Sequence, residues 1–350
     1  MRILHLAAGN RWTGAAAPAF AEVESLRSAG VDAHYAFVGG YRLEEKLAHL
    51  DYAHPVIEKS QDPVSFARSI SRINRLIREH RFDIIHSHLS YDHLVAQFTS
   101  RGKGVRLART FHSRRVLRRD PFSHWLMART DLLFVINETF TNHRALRGRQ
   151  AVFTPPPLDH RQFTPQGPDV RALYGFPPGV KIVAVIGKVS PGRGFEEALQ
   201  TYAALRHLQP ATHLMIIGHG EHRPFLQNLS RTLGIAEHVS WTGYHEEDLA
   251  EHYRAADLLL FTARGSDEGH RAVLEAMASG VPAVSYPLDG ITPLVGEAMV
   301  AAAPSPESLA ALASSVLARD GEALRREVYD RSLAFGYAEA AKRLIAGYSR

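Results

Sequence analysis

The chain has 350 residues, 45% of them hydrophobic and 22% charged, the composition of a globular protein rather than a disordered one. A net charge of +5 favours an anionic partner, and the lack of cysteine excludes disulfides, thiolate metal sites and a cysteine nucleophile. No apolar run is long enough to predict a membrane span, and neither zinc-finger spacing nor a long basic run points to nucleic acid.

In chain order, the opening Met1–Gly9 is too short for a signal peptide and reads as a strand over Arg2–Ala7, which suits a cytoplasmic protein. A helix over Ala15–Ala29 closes at Gly30, and Val31–Val38 is the next strand. Ser65–His80 is a helix with cationic stripes, and Phe82–His86, Val105–Phe111 and Leu132–Ile136 are strands. Periodicity then breaks from Thr154-Pro155-Pro156-Pro157 to Phe163-Thr164-Pro165, because consecutive prolines fix φ and remove donors. A linker is predicted there.

A second α/β series follows. Strands are predicted over Lys181–Ile186, His213–Gly218, Val239–Thr242, Leu258–Thr262 and Val281–Ser285. The helices between them are Arg193–Leu208, Arg223–Leu233, Glu246–Ala255 and Arg271–Ser279, and two more finish the chain. The last carries Tyr337, Ala341, Leu344, Ile345 and Tyr348 on one face, which must pack against something. The alternation predicts two doubly wound α/β domains, 1–165 and 166–330, followed by a helix over 331–350. A cleft is expected between the carboxyl ends of the two sheets.

Two segments carry chemistry. In the first, a buried strand runs through Gly187-Lys188-Val189-Ser190-Pro191-Gly192-Arg193-Gly194 into a helix. Free backbone N–H groups and the positive helix end make an anion site flanked by two cations. Alone, this is equally an ordinary βα turn with surface cations. In the second, Gly265-Ser266-Asp267-Glu268-Gly269-His270-Arg271 enters a helix holding Glu275 and ending at Gly280. Asp267 lies eight residues before Glu275, about two helical turns, and is by itself equally an N-cap.

Together these segments resemble family 4-type retaining glycosyltransferases of the GT-B fold. Members carry a Gly-Arg-x-x-x-x-Lys-Gly phosphate loop and a Glu-x7-Glu element running into Glu-Ala-Met-Ala-x-Gly-x-Pro. Here the two cations are exchanged and Asp267 stands for the first Glu, with Glu268 one position off. Leu214–Glu221, Val239–Tyr244 and Ala255-Ala256-Asp257 resemble further family segments in the right order.

The resemblance implies two Rossmann-like domains facing across a cleft, with the C-terminal helix crossing back to the first. It implies that Lys188 and Arg193, beside Gly187, grip the donor diphosphate, and that Glu275 binds the ribose hydroxyls. Gly218, Gly243 and Tyr244 would lie near the nucleotide. Asp267 would accept from sugar hydroxyls, and Gly269, His270 and Arg271 would add phosphate or sugar contacts. In the first half, Gly14 resembles the loop glycine facing acceptor and phosphates, and His112 the strand-end histidine facing the transferred sugar. His86-Ser87-His88, with His93 beyond, lacks a completing carboxylate, and no Asp-x-Asp element appears, so no metal and no cofactor are expected. The expected donor is a nucleotide sugar, UDP favoured and GDP second. The acceptor is a glycan, a lipid-linked sugar or a small molecule. The run Arg114-Arg115-Val116-Leu117-Arg118-Arg119, before Phe122, Trp125, Leu126 and Met127, suits an anionic membrane surface or equally a solvated basic loop. A GT-B-like epimerase, or a nucleotide-binding partner without strong catalysis, are the alternatives.

Overall fold

Seven parallel strands form the first sheet: β1 (Arg2–Ala7), β2 (Asp32–Val38), β3 (Ala53–Ile57), β4 (Ile84–Ser87), β5 (Arg106–Phe111), β6 (Leu132–Val135) and β7 (Val152–Phe153). Their spatial order is β3-β2-β1-β4-β5-β6-β7. The computed structural model describes residues 1–9, 15–60, 62–100, 104–263 and 269–350. Five helices accompany these strands: α1 (Ala16–Ser28), α2 (Arg42–Leu47), α3 (Pro63–His80), α4 (Ser90–Ser100) and α5 (Pro121–Ala128). The third begins two residues earlier than its periodicity predicts, because Asp62 accepts from the N–H groups of Val64 and Ser65 and Pro63 fits the first turn.

Alternation along β1 divides the core. Ile3 and Ala7 face α1 with Val23, Leu26, Tyr35 and Phe134, whereas Leu4 and Leu6 face α3 and α4 with Ile73, Ile77, Ile85 and Val95. His5 lies on the first of these faces, directly opposite His86 across the β1–β4 pair.

The second sheet is also parallel, with five strands: β8 (Lys181–Ile186), β9 (Thr212–Ile217), β10 (Val239–Gly243), β11 (Leu258–Phe261) and β12 (Ala283–Ser285). Their order is β10-β9-β8-β11-β12. Seven helices belong to this half: α6 (Phe195–Leu208), α7 (Arg223–Thr232), α8 (Leu249–Ala255), α9 (Arg271–Ala278), α10 (Thr292–Val295), α11 (Pro306–Leu317) and α12 (Gly321–Ser332). The Ala255-Ala256-Asp257 segment is structural. Asp257 accepts from Ile182 N–H and pairs with Arg171, Lys181 and Arg325, pinning the start of β8.

Four helices, not two, follow β12 and close the chain. The last, α13 (Tyr337–Tyr348), packs on α1 and returns to the first half. The two units are 1–157 with 335–350, and 158–334. The division falls at Pro157 rather than after Pro165, because residues 158–165 are docked on the second unit. Phe163 meets Tyr253 edge-on at 6.0 Å, and Pro165 covers Gly280.

Candidate functional site

The sheet of the second unit reverses its winding between β8 and β11, and open parallel sheets bind ligands beyond the strand ends at such a point. Both segments singled out in the sequence begin there. The first of these strands runs into Gly187–Gly194, and the second into Thr262 and the loop that leads to α9. Gly194, at φ +81°, precedes α6, and its carbonyl accepts from Thr262 Oγ1 at 2.6 Å. A Cβ there would strike the Thr262 backbone, so the close approach of the two loops requires glycine. Gly187, Gly218 and Gly243 end three neighbouring strands. Gly187 N–H donates to Ile217 O at 3.0 Å, and Gly218 bridges to Gly243.

Lys188 is 63% exposed, and its Nζ lies 4.0 Å from Glu221 Oε2, the outer limit of an ion pair. Arg193 is half-buried just ahead of Gly194. Glu275 is buried within α9. Its Oε1 accepts from Arg271 Nε at 2.6 Å, and the Tyr253 hydroxyl lies 3.1 Å from Oε2. Gly269 turns into the helix, and His270, at φ +51°, donates from Nε2 to Asp289 O at 2.9 Å. Tyr244 is 61% exposed, with its hydroxyl donating to Glu246. Asp267 and Glu268, like Gly14 in the first unit, lie outside the described residues.

His112 belongs to the first unit, immediately beyond β5. Burial and the Arg109 cation push its pKa down to about 3, so the ring is neutral near pH 7. Arg109 is itself buried. It donates to Leu89 O and lies 3.4 Å from Asp92 Oδ1. Asp92 also accepts from the N–H groups of Ala8, His88 and Leu89, so one carboxyl ties the ends of β1 and β4 together. Burial raises this carboxyl to about 7 against the pull of Arg109 and those three donors. Sequence reasoning passed over both residues, since a strand arginine and a helix aspartate acquire meaning only when the chain brings them together. Among the described residues, Asp92 in the first turn after His86-Ser87-His88 was the available signal.

The same strand ends gather His5, His86 and His88 around Glu22 of α1, with their metal-type ligand atoms all within 4.8 Å of one another. The carboxylate missing from the His-Ser-His motif thus arrives from a distant helix, while His93 turns away to Thr130 at 2.8 Å. In the Arg114–Arg119 region all four arginines are exposed. Leu117, Leu126 and Met127 are core residues, and Phe122, 54% exposed, stacks on Trp125. No described helix is long and apolar enough to cross a membrane.

Residues 168–332 match the family profile "Glycosyl transferases group 1", and residues 13–146 match "Glycosyltransferase Family 4". The chain is 32% identical over 218 residues to the D-inositol 3-phosphate glycosyltransferase of Mycolicibacterium smegmatis, covering 59% of this chain and 49% of that protein. It is 29% identical over 273 residues to the GDP-mannose-dependent alpha-(1-6)-phosphatidylinositol monomannoside mannosyltransferase of the same organism, covering 71% and 69%. The chain thus spans about half the length of the first curated relatives it matches. Anabaena HepE, crystallised with UDP, superposes with a TM-score of 0.81 at 16% identity over the whole of both chains. The chain belongs to the group 1, family 4-type glycosyltransferases and has their two-domain GT-B fold.

Proposed function

We propose that this protein transfers a sugar from a nucleotide-sugar donor to a glycan, lipid-linked or small-molecule acceptor, with retention of anomeric configuration. The observation that carries this reading is the paired loops of the second unit. At its switch point, Lys188 and Arg193 flank a helix start, while the loop on the neighbouring strand enters the helix that holds buried Glu275. Breaking a glycosyl–phosphate bond builds negative charge on the departing diphosphate. Fixed cations and backbone N–H groups stabilise that charge more than they stabilise the bound donor. The leaving phosphate accepts the acceptor's proton on the same face, so no strong protein base is needed. His112, neutral, faces the transferred sugar in this reading, and no metal is used.

UDP is the favoured nucleotide and GDP the second. Support comes from the UDP bound to Anabaena HepE and the GDP-mannose in the name of the mycobacterial mannosyltransferase. A panel of UDP-, GDP- and ADP-sugars, read first by thermal stabilisation and then by slow donor hydrolysis, tests the reading. One donor class should both stabilise the protein and be consumed. Stabilisation without consumption would instead indicate a binding partner, and conversion to an isomeric donor without acceptor an epimerase.

The reading also includes a peripheral contact, in the cytoplasm, with an anionic membrane surface through Arg114, Arg115, Arg118 and Arg119 beside exposed Phe122. Each cation near such a surface contributes about 1 kcal/mol. Co-sedimentation with phosphatidylglycerol vesicles should fall at least tenfold when all four are changed to serine. Unchanged sedimentation would remove the contact from the reading.

A further inference from the structure

At the β1–β4 switch point of the first unit, every ring nitrogen of His5, His86 and His88 has a hydrogen-bond partner, and the partners form one unbranched chain. His86 Nε2 lies 2.7 Å from Thr110 Oγ1, and His86 Nδ1 lies 2.6 Å from the Tyr348 hydroxyl. That hydroxyl is 3.2 Å from His5 Nε2, and His5 Nδ1 is 2.9 Å from His88 Nε2. The chain ends where His88 Nδ1 meets His112 Nε2 at 2.9 Å.

Burial holds His5, His86 and His88 neutral, with Arg109 and their mutual repulsion adding to the effect on His86 and His88. A neutral imidazole owns one N–H and one lone pair. The chain is therefore satisfied only if every link points the same way, with one proton per link. Either all protons point away from His112 or all point towards it. The two arrangements carry the same net charge and differ at the end of the chain in which nitrogen of His112 holds its proton.

Glu22 breaks the tie. Its Oε2 is buried with no hydrogen-bond partner, 3.7 Å from His5 Nδ1, 3.9 Å from His86 Nδ1 and 3.8 Å from His88 Nε2. Each imidazole lone pair facing it is used within the chain, so this oxygen carries no proton. Burial raises the Glu22 carboxyl, whose proton then sits on the other oxygen, and Oε2 presents only lone pairs to the three rings. When the chain points towards His112, His5 and His86 both turn N–H groups to that oxygen. When it points away, His88 alone does. We propose that Glu22, acting through His5, Tyr348, His86 and His88, fixes His112 as the Nδ1–H tautomer. Glu22 is thus a positioning residue, and His112 offers a hydrogen-bond donor, not a lone pair, beyond the end of β5. Its bearing on catalysis rests on the reading that His112 faces the transferred sugar. A divalent ion would have to break both the His5–His88 and the His86–Tyr348 link to reach the same nitrogens.

The test is a two-bond proton–nitrogen spectrum of the full-length protein labelled with nitrogen-15 histidine, near neutral pH, with His112 assigned from its loss in His112→Gln. It needs neither donor nor acceptor, so its outcome is independent of the glycosyl-transfer reading. The expected wild-type pattern is a protonated Nδ1 and an unprotonated Nε2 at His112. In Glu22→Leu the bias is removed, and both tautomers should be populated within about threefold of each other. The wild-type spectrum stands even if that variant fails to fold. A wild-type His112 protonated at Nε2, a folded Glu22→Leu with an unchanged pattern, or stoichiometric zinc bound at His5 and His88 would each overturn the proposal.

Discussion

Alanine at Lys188 or at Arg193 is expected to lower kcat at least tenfold at saturating donor, a loss of at least ~1.4 kcal/mol of transition-state stabilisation. Both residues flank the start of α6, where, in the proposed reaction, charge develops on the departing diphosphate. Lys188 is exposed, and Glu221 lies only at the ion-pair limit from it, so removing it costs the fold little. Arg193 offers a planar fork suited to two phosphate oxygens, so Arg193→Lys should recover only part of the loss. The check is kcat measured beside the melting temperature. Turnover unchanged in both alanine variants, with folding intact, would defeat the assignment of the diphosphate to this loop.

The second large effect concerns acid. His5, His86, His88 and His93 are buried neutral, with folded pKa values held far below the unfolded value of about 6.5. Groups depressed in this way stabilise the fold above about pH 6.5 and lose that contribution as pH falls, because the unfolded chain takes up protons the folded one refuses. Glu22 and Asp92 work in the opposite sense, since burial raises both, and they offset up to two of the four protons. With His112, also held low, added to the four, a net uptake of two or more protons on unfolding predicts a fall of roughly 2.7 kcal/mol per pH unit or more between pH 6 and 5. Against a typical total of about 5–15 kcal/mol, that slope removes a large share of the stability by about pH 4. Urea midpoints across pH 7 to 4.5 measure this directly. A flat profile through pH 5 would mean that these histidines are not buried neutral.

Local pattern made much of the second unit legible. The Lys181–Ile186 strand, the glycine-bearing loop after it and the Arg271 start of α9 stand where periodicity and punctuation put them. The elements without a clear signal in the sequence have physical causes for it. Edge strand β3 contains Pro55 and packs only partly, and β7 is two residues long, so neither carries a clear alternating signal. The prolines of 155–157 and 165 look like one linker, yet the stretch between them is held by Phe163 against Tyr253. Lys188, Arg193 and Glu275 could be singled out because each sits in a short motif. The cluster around Glu22 could not, because Glu22, His86 and Tyr348 lie on three elements far apart in sequence, and only the sheet order unites them.

The return of α13 has a consequence for synthesis. Gly347 passes so close to the Phe134 ring that a Cβ would clash, and Leu344 and Tyr348 complete the core beneath α1. A ribosome that has released the first 157 residues has therefore released an unfinished unit, with the apolar side around Val23 and Phe134 still open to water. That side stays uncovered until residues 337–348 emerge, after the entire second unit has had time to form. The nascent chain must shelter it meanwhile, and a transcript cut short before this last helix would yield a sticky, chaperone-dependent product rather than a working half.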